Sequence, residues 1–203
     1  MPYVWKADMP VSEIELLASP VMIRPRYNNQ PVYYSDVVVH KESPFFKFAD
    51  LRGARWIINE ARSHSGFNLV RYYLSTIGET FGFFGEVIES GAHQDSLRLI
   101  IDGRSDASAI DSTVLETEFE KDPELNRLLR VIETFGPSPI PPFVASKTLP
   151  RELREKLSTL LLNLHKDSEG RELLARARFA RFTAVQDSDY DQIRRMAQIP
   201  ASF

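Results

Sequence analysis

Apolar and polar positions along this chain change period repeatedly, and the changes mark its elements. Leu16 to Ile23 is an almost unbroken apolar run, the pattern of a buried strand, and it stops at the turn-rich Arg24-Pro-Arg-Tyr-Asn-Asn-Gln-Pro31. Val32-Tyr-Tyr-Ser-Asp-Val-Val-Val39, rich in β-branched and aromatic residues, predicts a second strand. A short helical turn is expected near Phe48-Ala-Asp-Leu51, then a strand over 54–59. From Gly66 to about Ile77 the spacing of Phe67, Val70, Tyr73, Leu74 and Ile77 predicts an amphipathic helix. Glu86–Glu89 reads as a short strand, and His93–Ile101 as a helix closed by Gly103. Asp106–Ile110 is a strand that ends at Asp111-Ser-Thr113, where another helix starts, and Leu128–Phe135 is a further strand. Strand and helix in alternation predict an α/β protein with parallel pairing.

The Pro-rich Gly136-Pro-Ser-Pro-Ile-Pro-Pro142 stops this pattern, either as a crossover between two lobes or as an ordinary rigid loop. Beyond it come a strand near Phe143-Val-Ala145 and a helix opened by Pro150, with an apolar stripe of Leu153, Leu157, Leu160, Leu161 and Leu164. A last helix is expected near Asp187-Ser-Asp-Tyr190, capped by Asp187.

Composition narrows the function classes. A chain of 203 residues, 43% hydrophobic and 26% charged, is an ordinary globular protein with room for one large domain or two modest lobes. Its net charge of -3 gives no basis for a nucleic-acid or anionic-membrane partner. The densest basic group, Arg171, Arg176, Arg178 and Arg181, reads as a solvated helix face. Without cysteine there are no disulfides, thiol nucleophiles or zinc-thiolate sites. The four histidines have no metal-binding spacing, so neither metal nor cofactor is expected, and His40 and His165 read as surface residues. Met1 to Asp8 carries no basic region followed by an apolar run, so no signal peptide is expected, and no segment is long enough to span a membrane.

Asn59-Glu-Ala-Arg-Ser-His-Ser-Gly-Phe-Asn68 is the most informative stretch. It places Ser63, His64, Ser65 and Gly66 where a helix begins, and a helix N-terminus offers unpaired N–H groups and partial positive charge to an anion. The bland alternative is that Ser63 is only an N-cap. His93 and the Asp111-Ser112 pair occupy two further strand-to-helix junctions, and parallel α/β sheets place ligand sites at the carboxyl ends of their strands. Ser, His and Asp also permit a hydrolase triad on paper, but the Gly-x-Ser-x-Gly elbow is missing and Asp111 serves equally as a helix cap. Tyr72, Tyr73, Phe81, Phe83 and Phe84 read as core or lobe-contact residues.

Several stretches, in order, resemble one family: Pro31-Val-Tyr-Tyr-Ser-Asp-Val-Val-Val39, Asp50-Leu-Arg-Gly53, Ser63-His-Ser-Gly66, Gly91-Ala-His93 and Gly136-Pro-Ser-Pro-Ile-Pro141. Together they are similar to the phosphate/phosphonate-binding periplasmic proteins of ABC importers. That resemblance implies a class II periplasmic-binding-protein fold, α/β, with two lobes and a ligand cleft between them. It divides the chain into a discontinuous lobe, 1–31 with 138–203, and a second lobe, 32–137. The first lobe would lack the strand–helix units with which family members begin, and a truncated sheet of that kind implies a possible homodimer. By motif, Tyr33, Ser63, His64, Ser65 and His93 match ligand-contacting positions; Asp111 is a nearby acid and Ser138 lies in the return crossover.

The function this implies is non-catalytic capture of phosphate, phosphite or an alkylphosphonate for delivery to an ABC permease. Thr113 stands where family members selective for an aminophosphonate carry an acid. The resemblance implies a periplasmic location, whereas the missing signal peptide implies the cytoplasm if the chain is complete. A cytoplasmic small-ligand sensor of the same fold and a fragment that no longer binds are the alternatives.

Overall fold

The computed structural model describes residues 13–79 and 81–199. The chain divides into two compact units, one built from the chain up to Tyr33 together with Ser138–Arg194, the other from Tyr34–Pro137 together with the chain from Arg195 on.

The second unit is organised around β3 (Arg55–Ile58). It pairs in parallel with β4 (Glu86–Glu89) on one side and with β5 (Ala107–Asp111) on the other. β2 (Val32–His40) lies antiparallel on β5, and β6 (Leu129–Pro139) completes the order β4-β3-β5-β2-β6. The parallel pairing expected of an α/β protein is present around β3, and antiparallel β2 makes the sheet mixed. Period-two alternation explains its two cores. Val37, Val39, Trp56, Ile58, Ala107 and Ala109 belong to a cluster with Phe48, Phe83, Phe84, Phe135 and Met196, whereas Val38, Ile57 and Ile110 pack with Leu97, Ile100, Leu115 and Leu129. Phe48 is the aromatic hub, stacked on Phe83 at 5.3 Å and edge-on to Trp56, Tyr73, Phe84 and Phe135. Phe81, read as a core or lobe-contact residue, is not in the core, being 73% exposed.

The helices of this unit follow the strands. A π-helical turn, His64–Asn68, runs into α1 (Leu69–Thr76), so the helix starts two residues earlier than its periodicity suggested. Next come α2 (His93–Ile101), α3 (Ser112–Lys121) and the single turn α4 (Leu125–Leu128). β6 does not stop at the prolines but continues through Pro139.

In the first unit, β1 (Ile14–Met22) pairs antiparallel with β7 (Phe143–Ser146) through its first half and with β8 (Phe179–Thr183) through its second. α5 (Arg151–Asn163), α6 (Ser168–Arg176) and α7 (Asp191–Ala197) are the remaining α-helices among the described residues. α6 and β8 were not foreseen: Arg181 lies on a strand and Arg178 in a left-handed turn at φ 59°, so the basic group is not one helix face. Asp187 does not cap its turn; it takes hydrogen bonds from Arg194, and Gln186 is the cap residue. His40 and His165 are half-buried. Tyr190 anchors the unit, its buried hydroxyl donating to the Ile140 carbonyl at 3.1 Å and lying 2.9 Å from Ser19 Oγ, and burial pushes its phenol up to about 12. By contrast α5 has no buried residue, with Leu153 at 42% and Leu160 at 57% exposure. The division of the chain differs from the expected one at its end. Arg195 onward groups with the second unit, where Met196 joins the aromatic cluster.

Phe48→Ala should cost about 3–5 kcal/mol of unfolding free energy, as for other buried phenylalanines. Leu160→Ala should stay within about 0.5 kcal/mol, as for surface changes. Urea titrations of both variants check the ranking, and equal losses would overturn this assignment of core and surface.

Candidate functional site

Because β3, β4 and β5 run in parallel, the junctions that follow them lie at one end of the sheet. Two backbone bonds join the first two: Ser90 N–H donates to the Ile58 carbonyl at 2.9 Å and Gly91 N–H to that of Asn59 at 2.8 Å. Gly91 can make this turn because its φ is +87°, a region that a side chain disfavours. The turn delivers Ala92 and His93 to the start of α2 beside the Ser63 turn. Ser65 Oγ and His93 Nε2 are 3.3 Å apart.

Each junction treats its helix N-terminus differently. Ser63 is a true N-cap, its Oγ accepting from Gly66 N–H at 3.0 Å, while Asn68 Nδ2 closes the turn onto the Ser63 carbonyl at 2.7 Å. Gly66 leaves room here for Asn59: a Cβ on it would lie 2.0 Å from Asn59 Oδ1 and force that side chain to move. Asn59, 8% exposed, has no hydrogen-bond partner on that oxygen among the described residues. Asp111 caps α3, its Oδ1 accepting from Thr113 N–H at 2.8 Å and from Thr113 Oγ1 at 2.7 Å. Its own carboxylate therefore fills that terminus. Ser112, at the same junction, is fully buried, and its Oγ accepts from Tyr34 N–H at 3.0 Å, which ties α3 to β2. Ala92 supplies no side-chain cap to α2. Of these three termini, α2 is the one with no side-chain cap.

Burial sets the charges. It pushes His64 and His93 down to about 4, so both are neutral at pH 7. The Asp111 carboxyl is held above its usual range by burial, with Asp36 adding to the shift, although the Thr113 donors pull the other way. A hydrolase triad is not assembled, since His93 Nδ1 has no hydrogen-bond partner among the described residues and the Asp111 carboxylate is bonded to Thr113. No group of His, Asp and Glu suited to a metal ion is found among the described residues.

The second unit thus brings Ser63, His64, Ser65, His93 and Asp111 to one end of one sheet. Tyr33 and Ser138 are buried and belong to the first unit. Sequence reasoning missed Ser35, whose Oγ donates to the Ser65 carbonyl at 2.8 Å and whose strand partner is Asp111. A serine inside an apolar strand carries no positional signal of this.

The profile of the family described as "ABC transporter, phosphonate, periplasmic substrate-binding protein" matches residues 11–190. The chain belongs to this family. Among curated relatives, the phosphonates-binding periplasmic protein of Escherichia coli (strain K12) is 25% identical over 175 residues, 84% of this chain and 52% of that protein. The chain thus spans about half the length of that relative. Among solved structures, a binding-protein component of an ABC phosphonate transporter from Pseudomonas aeruginosa superposes with a TM-score of 0.78 at 20% identity, over 91% of this chain and 61% of that one. PhnD1 from Prochlorococcus marinus (MIT 9301), solved in complex with methylphosphonate, gives 0.78 at 20% identity, over 92% and 71%. These neighbours establish the α/β class II periplasmic-binding-protein fold of this family member. No described helix is long and apolar enough to cross a membrane.

The two buried imidazoles predict a pH dependence of stability. Their folded values, about 4, lie below the ordinary 6.5, so the unfolded chain takes up protons that the folded one refuses. Stability should be level above about pH 6.5 and fall as pH drops toward 4, by on the order of 3 kcal/mol from His64 alone. Most carboxylates titrate lower, so urea unfolding between pH 6.5 and 5 reads mainly the histidines; a flat profile there would contradict their burial as neutral groups.

Proposed function

We propose that this protein captures a small oxyanion, phosphate, phosphite or an alkylphosphonate, without chemical change, as the substrate-binding component of an ABC importer. The observation that carries this reading is the Ser65–His93 pair, a hydroxyl and an imidazole 3.3 Å apart that join two strand-to-helix junctions beside the α2 terminus with no side-chain cap. Hydroxyl, imidazole N–H and helix N–H groups are the donors that a tetrahedral oxyanion needs. They are neutral, so the site recognises the anion by hydrogen bonds rather than by ion pairing. His64 is buried in the turn and contributes through its backbone N–H. Tyr33 and Ser138 are further proposed contacts. The complex of the Prochlorococcus relative makes methylphosphonate the first ligand to test, and delivery to a permease in the periplasm is the role its family suggests.

A dianion bound beside His93 would raise the imidazole's proton affinity above that in the free protein. Ser63→Ala and His93→Ala should each weaken binding by about 1.5–3 kcal/mol, the range for hydrogen bonds to charged groups. A thermal-shift panel of phosphate, phosphite, methylphosphonate, 2-aminoethylphosphonate and sulfate, followed by calorimetry on the variants, tests the assignment. Unchanged affinity in both variants would remove the site from this location.

A further inference from the structure

A cavity of about 350 Å³ in the first unit shares no residue with the proposed oxyanion site. The alternation of β8 builds one of its walls. Phe182 turns into the core with Ala18 and Leu174, so its neighbours Arg181 and Thr183 stand on the other face, and both line the cavity. A second wall comes from the segments around Pro31 and Pro139, which the Ile140 N–H joins by donating to the Pro31 carbonyl at 3.0 Å. Val32, Val185 and Tyr190 complete an apolar lining. The Tyr190 hydroxyl is already engaged by Ser19 and the Ile140 carbonyl, so this residue offers ring carbon rather than a polar group.

Two opposite charges line the same cavity without closing on each other. Arg181 gives one N–H to the Asn29 carbonyl at 3.3 Å, and Asp189 accepts from the Gln186 N–H at 2.8 Å. Neither has an ion-pair partner among the described residues. A guanidinium has several further donors and a carboxylate several further acceptor sites, so most of the capacity of each remains. A simple anion would meet the Asp189 carboxylate here, and a simple cation the Arg181 guanidinium. A ligand that carries both charges avoids each penalty. Half-buried Pro31, Val32, Pro139 and Val185 add apolar surface that an aliphatic group can remove from water.

We propose that this cavity is a second binding site and that it takes a small zwitterion with an apolar body, an α-amino acid with an aliphatic side chain. Arg181 receives the carboxylate, Asp189 the ammonium, and the proline and valine wall the side chain. The inference stands independently of the oxyanion reading.

The experiment is calorimetry on the whole chain near neutral pH with L-leucine, N-acetyl-L-leucine and L-leucine methyl ester as probes. Leucine should bind, and loss of either of its charges should weaken binding by about tenfold or more, the cost of one charge-assisted hydrogen bond. R181Q and D189N should each weaken leucine binding by a similar factor. Asparagine at 189 still accepts from the Gln186 N–H, and urea titration of both variants separates loss of a charge from loss of the fold. Amide spectra should shift with leucine at residues 30–32, 139 and 181–190, where the cavity is lined. Excess methylphosphonate should leave the leucine isotherm in place; displacement would put leucine in the oxyanion site and overturn the proposal. No binding of leucine, equal binding of all three probes, or an affinity that neither variant moves also overturns it and leaves the oxyanion site standing.

Discussion

Parallel pairing of β3 with β4 and β5 is the constraint on which the candidate site depends. Parallel strands carry their carboxyl ends to the same side of the sheet, and each must then cross back through a helix. The register that sets Trp56 opposite both Val87 and Ala107 therefore decides where Ser63, His93 and Asp111 end up. The small residues Ala107, Ser108 and Ala109 make β5 thin on both faces, and the Ser108 hydroxyl, fully buried, satisfies itself on the Ile57 carbonyl at 3.0 Å. The Arg55–Asp106 ion pair, 2.7 Å long and supported by Arg55 N–H on the same carboxylate, fixes the opposite end of these strands. It is half-exposed, so its value lies in register more than in net stability.

Three helix termini of similar appearance thus carry three different electrostatic loads. One is capped by a neutral hydroxyl, one by a carboxylate, and one by no side chain at all. A terminus filled by its own carboxylate has little left for an external anion, whereas one without a cap retains its N–H groups and the positive end of its dipole. The surrounding burial keeps both histidines neutral, so the site offers donors without bringing fixed positive charge into a low-dielectric region.

The first unit shows the opposite economy. Its three-stranded sheet has Tyr190, Ile193 and Ile14 packed in one small cluster and Ala18, Leu174 and Phe182 in another. Yet α5, with a leucine stripe along it, buries none of its residues fully. This unit belongs to a chain that spans 52% of a curated relative and 61% of a structural one. An amphipathic helix acquires most of its stability from the surface it covers, and here that surface is small.

What the sequence determined by itself was the alternation of strands and helices, the boundaries of α2, and the polar junctions Ser63–Ser65, His93 and Asp111. These are local: they follow from hydrophobic period, glycine and proline positions, and cap chemistry. It misjudged β6, because a strand at a sheet edge tolerates the prolines that elsewhere end one. It overlooked α6 and β8, whose arginines masked a weak period. Only the tertiary structure decided that β2 runs antiparallel on β5, that Ser35 supports the carbonyl of Ser65, and that Ser112 ties α3 to β2. Those outcomes depend on which strands become neighbours and in what register, and residues 30 to 80 positions apart carry no record of that in their order. Capping chemistry is written locally; whether a cap is left open to a ligand is settled by packing.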